Sequence, residues 1–269
     1  MAIITLTSAS GSPGVTTTAL GLALVWPRPV LLVEADPTGG SALLAGYWRG
    51  QLDHVGMLDL VLAERHGLLA DALPRMQLAI DGTDASVLVG TKSHEQAGSL
   101  ARLWDPLLGG LQNLPGQDVI VDAGRLGLDG SPHSLVVYSD VTVLVTHSSL
   151  RALAAARSWA ATLAADVVPG HDVKVVLVGE GRKYRAGEVA RTLGLPVAGS
   201  IAWDPRGAAV FSDGASYPVR RFGGEQAAAR AFEQSGYLRS LRTLAAALRP
   251  TGANSAGEPA EVEQEESLA

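Results

Sequence analysis

Short apolar runs rich in Val, Ile and Leu recur along this chain, each followed by a stretch of helical length, and that alternation leaves few folds open. The runs are Ile3–Thr7, Val30–Glu34, Ala85–Gly90, Asp118–Asp122, Val141–Thr146, Val173–Val178 and Val197–Ile201. Most are continuously apolar rather than alternating, the pattern of strands covered on both faces. Between them, helices are predicted over Thr16–Val25, Gly56–Leu73, His94–Leu111, Ser149–Ala165, Ala186–Leu193 and Glu225–Leu248. Strand–helix alternation of this kind predicts an α/β fold, a doubly wound and mostly parallel sheet with helices on both faces.

Composition sets the remaining bounds. With 269 residues, 47% of them apolar and 18% charged, the chain has material for one sizeable core. The reading is a single domain over residues 1–249 and a disordered tail over 250–269, where Gly, Ala, Ser, Pro and Glu replace large apolar groups. The absence of cysteine excludes thiol catalysis, cysteine-ligated zinc and iron–sulfur clusters. The six histidines are scattered without metal-ligand spacing and read as surface or loop residues. No apolar run reaches the ~18–20 residues of a membrane span, and the first residues lack a positive n-region, so a cytoplasmic protein is expected. The net charge of −6 is unevenly spread: residues 1–150 carry 7 basic and 14 acidic side chains, residues 151–250 carry 14 and 8, and the last nineteen carry five glutamates.

In a sheet of this class ligands sit beyond the carboxyl ends of the strands. The first such loop, Ser8-Ala9-Ser10-Gly11-Ser12-Pro13-Gly14, runs straight into Val15-Thr16-Thr17-Thr18-Ala19-Leu20. Small residues let backbone N–H groups wrap an anion, and the helix N-terminus adds partial positive charge. Thr16 and Thr17 would present hydroxyls from the first turn, one to a magnesium ion and one to a phosphate oxygen. A plain tight turn is the competing reading of the same residues.

The segment resembles the deviant Walker A loop of the ParA/MinD family of P-loop ATPases, K-G-G-x-G-K-[ST]-T-T-A. The resemblance places Gly11 and Gly14 on family glycines, Ser12 in the same phosphate loop, Val15 on the P-loop lysine and Ser10 on the signature lysine. Both lysines are missing, and there is no Lys or Arg between Met1 and Trp26. Losing one preorganised electrostatic contact of this sort costs on the order of a hundred- to a thousand-fold in rate. Leu31–Gly40, with Asp36-Pro37 and Gly39, resembles the family's D-x-D-P-Q-G motif, which implies that Asp36 helps position magnesium and the attacking water; Glu34 and Thr38 depart from it. Asp118–Gly124 resembles Walker B, with Asp122 reaching the metal through water. Arg125 follows, either as a solvated loop arginine or as a cation beside the site.

Later segments keep the family order over roughly residues 1–248. Ser139–Thr146 and Val173–Val178 resemble the next strands, but Gly179-Glu180-Gly181 stands where relatives commonly carry a base-contacting asparagine. Gly194–Pro205 resembles the segment whose loop flanks the adenine, which implies nucleotide contacts from Trp203, Asp204 and Pro205. The expectation is a positioning, partitioning or adaptor protein with a degenerate site, weak binding of ATP and Mg2+ at Thr16, Asp36 and Asp122, and little or no hydrolysis. Altered Walker A loops point to the group of pilus-assembly localisation factors typified by CpaE and TadZ. Homodimerisation across the nucleotide face and a protein partner are implied. A basic face of Arg182, Lys183, Arg185, Arg206, Arg220 and Arg221 offers non-specific DNA contacts, and the alternative is an active ATPase switch for plasmid or chromosome partition. The acidic end, unlike the basic amphipathic helix of MinD, argues against direct membrane insertion.

Overall fold

Each apolar run becomes a strand because both of its faces can be covered. In the computed structural model, which describes all residues except Ser12, Val55, 219–223 and 250–269, eight strands form one sheet in the order β3-β4-β2-β5-β1-β6-β7-β8. The calls on Ser12, Arg220, Arg221 and the acidic tail therefore lie outside the described residues. The strands are β1 Ile3–Ser8, β2 Val30–Glu34, β3 Leu78–Ala79, β4 Ala85–Leu88, β5 Asp118–Arg125, β6 Val141–His147, β7 Asp172–Val178 and β8 Val197–Ile201. All pairings are parallel except β3 with β4.

The two-residue period of a strand divides the core. Ile4, Leu32, Ile120 and Val143 face one layer of apolar side chains, and Ile3, Leu31, Val119 and Leu144 face the other. The first layer is completed by α1 (Val15–Val25), α9 (Pro205–Ser212), α10 (Glu225–Glu233) and α11 (Gly236–Leu248). The second is completed by α2 (Met57–Arg65), α3 (Leu69–Arg75), α4 (Ala97–Leu100), α5 (Trp104–Gln112), α6 (His133–Val137), α7 (Leu150–Asp166) and α8 (Ala186–Leu193). A fully buried Leu or Ile contributes about 1.5–3 kcal/mol, so these paired layers outweigh local propensity.

Three predicted helices are each broken. The span Gly56–Leu73 splits because Gly67 turns the chain at φ +70°. The span His94–Leu111 becomes a 3-10 turn at His94–Gln96, then α4, then α5. Pro106 sits in the first turn of α5, where its missing N–H costs nothing, and would interrupt a continuous helix. The span Glu225–Leu248 breaks at Ser235, whose hydroxyl accepts the Leu238 N–H at 3.1 Å and caps α11. At the amino ends of the strands, buried Asp118 accepts Ala2 N–H, Trp26 Nε1–H and Arg28, tying the first strand to its neighbours. Cavities open at the opposite ends.

Candidate functional site

The loop from β1 reaches α1 through Gly14, which lies at φ +89°, a left-handed conformation that side chains with a Cβ rarely adopt. The Thr18 N–H closes onto the Gly14 carbonyl at 2.9 Å and fixes the first helical turn. In front of that turn lies a cradle of about 370 Å³, lined by Gly14, Val15, Thr16, Thr17, Asp36 and Arg125, among others. Gly11, three residues before Gly14, is exposed. Val15, at the position matched to the lysine, is 6% exposed and belongs to the first apolar layer.

The carboxylates come from β2 and β5. Glu34, at the end of β2, is buried and fully engaged: Ser41 Oγ donates to it at 2.6 Å, Leu43 N–H at 3.1 Å and Gly90 N–H at 3.0 Å. Its work is to hold the loop after β2, so this departure from the family aspartate has a structural cause. Asp36 is half-buried and accepts the Thr38 N–H at 2.9 Å. Gly39 must be glycine, because a Cβ there would lie 2.3 Å from the His94 nitrogen. Asp36 in turn rests against Gly124, where a Cβ would approach the Asp36 carboxyl carbon to 2.3 Å.

Asp122 differs from both. It is 1% exposed, and its Oδ1 accepts the Gly124 N–H at 3.0 Å, while Oδ2 has no hydrogen-bond partner. Burial pushes this carboxyl up to about 7, with the Asp36 and Glu34 charges adding to the rise; the Thr16 side chain and Gly124 N–H act against it. Thr16 faces Asp122, yet no hydrogen bond of normal geometry reaches Oδ2. An orphaned buried oxygen beside a threonine hydroxyl and a second carboxylate fits a hard cation such as Mg2+. Among the described residues no group of three or more His, Asp or Glu side chains could hold a metal by itself. The oxygen set thus suits an ion completed by phosphate and water.

A second cavity, of about 190 Å³, opens on the far side of Thr17. Its walls include Pro13, His147, Trp203, Asp204, Pro205 and Tyr237. Asp204 is held as the cap of α9, accepting the Gly207 N–H at 3.0 Å. Trp203 is 50% exposed; the Arg182 guanidinium lies 4.1 Å over its ring, and His147 meets its edge at 5.5 Å. Burial and the Asp204 charge push the Tyr237 phenol up. Glu180, within the Gly179-Glu180-Gly181 segment that stands where relatives commonly carry an asparagine, is already committed: Ser200 donates to it at 2.5 Å and the Ala186 N–H at 2.8 Å. Those bonds, with Arg185 nearby, hold its carboxyl low.

The structure therefore gathers Thr16, Thr17 and Asp36 at one cradle, with Asp122 buried beside Thr16, and Trp203, Asp204 and Pro205 at the adjoining cavity. It moves Arg182 from the expected basic face onto Trp203. Lys183, Arg185 and Arg206 are exposed at the same end of the sheet, in the β7–α8 loop and the first turn of α9. Sequence reasoning missed His147, which read as a surface or loop histidine; its place as the last residue of β6 was the available signal. Tyr237 was missed because its cavity wall is contributed by a helix distant in sequence.

No protein-family model and no curated protein sequence matches this chain. Among solved structures it resembles the septum site-determining protein MinD complexed with Mg-ADP from Pyrococcus horikoshii OT3, at 18% identity over 91% of this chain and 94% of that one, with a TM-score of 0.64. It also resembles a ParA family ATPase from Chlorobium tepidum TLS, at 16% identity over 91% and 97%, with a TM-score of 0.68. The MinC:MinD cell division protein complex of Aquifex aeolicus matches at 15% identity over 94% and 99%, with a TM-score of 0.65. At such identities the likeness is one of architecture: the chain has the P-loop NTPase fold of the MinD and ParA ATPases.

Proposed function

We propose that this protein is a cytoplasmic positioning or adaptor factor of the MinD/ParA kind, with a nucleotide site that binds ATP or ADP weakly and hydrolyses ATP little or not at all. The observation that carries this is Val15. Its side chain is buried in the apolar layer at the helix start where a charge on the phosphates is needed, so the phosphate loop itself offers only backbone dipoles and hydroxyls. On the other side of the cradle, Thr16, Asp36 and Asp122 would hold Mg2+, which would neutralise phosphate charge when bound. The apolar cavity beside Trp203 would take the base. A homodimer formed across this face, where Leu150 and Trp203 are 69% and 50% exposed, would present a surface to a protein partner.

Turnover by the natural protein tests the reading, set against Val15→Lys. The natural protein should show no hydrolysis above background with Mg-ATP, and Val15→Lys should bind nucleotide more tightly. Clear magnesium-dependent hydrolysis by the natural protein would overturn the proposal.

A second reading has one observation in its favour. Lys183, Arg185 and Arg206 are exposed and form no ion pair among the described residues. An active partition switch with non-specific DNA binding would use them on phosphates, and its mobility shift would weaken steeply with salt.

A further inference from the structure

The cradle has lost both lysines, yet it is not without a cation. Among the described residues that line it, Arg125 is the one positive side chain. It comes from β5, across the sheet from the helix that should have supplied the charge. Its placement depends on an irregularity in the β1–β5 pairing. Leu6 pairs with Asp122, but Ser8 pairs with Arg125, so β5 carries one extra residue across that step. Without that residue Ser8 would face Gly124. Bulges of this sort re-aim a side chain at the end of a strand.

The local bonding holds the irregularity in place. Gly124 takes φ +60°, and its carbonyl accepts the Thr7 hydroxyl at 3.1 Å. The Leu126 N–H donates to the Ser8 carbonyl at 2.8 Å, so Arg125 is pinned on both sides beside the residue that opens the phosphate loop. Its backbone is fixed while its side chain is exposed, and it forms no salt bridge or side-chain hydrogen bond among the described residues. Asp36, in the same cradle, is turned to its own loop by the Thr38 N–H. An exposed arginine lining the same cradle as a helix N-terminus, three residues along β5 from the unpartnered Asp122 oxygen, suits a polyphosphate with its metal.

We infer that Arg125 binds the phosphate chain of a nucleoside di- or triphosphate, taking from β5 the charge role that the helix has given up at Val15. The inference rests on the proposed nucleotide site and names the side chain that makes it work. A guanidinium donates two parallel N–H groups to phosphate oxygens, which a lysine cannot do. It also stands on the Walker B side of the cradle, so it binds phosphate without restoring the lysine's position in the loop.

Calorimetric titration of the full chain with Mg-ADP, and separately with inorganic pyrophosphate and Mg2+, tests this. Arg125→Ala should weaken both ligands about ten- to a hundred-fold, with an unchanged melting temperature because the side chain is exposed and partnerless. Arg125→Lys should recover only part of the loss. Val15→Lys placed on the Arg125→Ala background should restore affinity for both ligands. Equal affinity of the natural protein and Arg125→Ala would overturn the role of Arg125 while leaving the nucleotide site standing. No binding of Mg-ADP by the natural protein would overturn both. Loss with ADP but not with pyrophosphate would also overturn it, since it would place Arg125 at the nucleoside rather than at the phosphates.

Discussion

The two acidic positions that face each other across β2 and β5 are built on opposite terms. Glu34 and Asp122 pair in register at the ends of adjacent strands, and both are buried. Glu34 has three donors and is part of the fold's own scaffolding. Asp122 has one donor and an oxygen with none, and burial drives its carboxyl up to about 7. A buried carboxyl kept without enough partners costs stability, a cost that the proposed metal would offset when bound. The difference teaches which motif residue speaks of ligand and which of architecture, although both are acids at strand ends.

Substituting Glu34 gives the largest effect. Glu34→Ala leaves the Ser41 hydroxyl and the Leu43 and Gly90 N–H groups without an acceptor, and should cost about 3–5 kcal/mol in chemical denaturation. A loss below about 1 kcal/mol would erase the distinction between the two acids.

Asp122 should behave in the opposite sense. Its folded value of about 7 lies above its ordinary 3.8, so the native state holds the proton more tightly than the unfolded chain. The resulting stability is fully present below about pH 4 and is lost as pH rises through about 7. Metal-free Asp122→Asn should therefore gain a few kcal/mol relative to the natural chain at pH 8, and little at pH 4. The difference in melting temperature between the two proteins, followed from pH 4 to pH 8, reads this directly. A gap that stays constant with pH would show that Asp122 is as well satisfied as Glu34.

The smallest effect sharpens the contrast from the base side. Arg182→Ala removes a cation stacked on an exposed ring, worth about 0.5–1 kcal/mol. It should weaken Mg-ADP binding two- to five-fold and leave pyrophosphate binding unchanged in the same titrations. Equal weakening of both would place Arg182 with the phosphates instead.

Much of this was legible in the chain. The continuous apolar runs predict seven of the eight strands, and Gly14, Asp36-Pro37 and Asp122 stand out because each ends or follows such a run. Boundaries failed where a single residue overrides periodicity, as at Gly67, Pro106 and Ser235. The strand β3 is two residues long, too short for any pattern to show, and pairs antiparallel with β4. The site was less legible because its decisive relations are non-local. That Glu34 is bound to Gly90, that Arg182 lies on Trp203 and that β5 carries an extra residue opposite Ser8 are facts of the sheet, with no local signature.

The antiparallel strand β3 also bears on how copies of this chain meet. A sheet edge is a template for another strand, and long straight edges invite chains to join end to end. At this edge the sheet finishes in two residues running against the rest, so a parallel strand has almost nothing to extend. The other edge, β8, is five residues long and packs against α11. Joining sheet to sheet through the β3 side is thus discouraged by direction and by length together, which agrees with the proposal that copies meet at the open carboxyl ends, where what the cradle holds would bear on self-recognition.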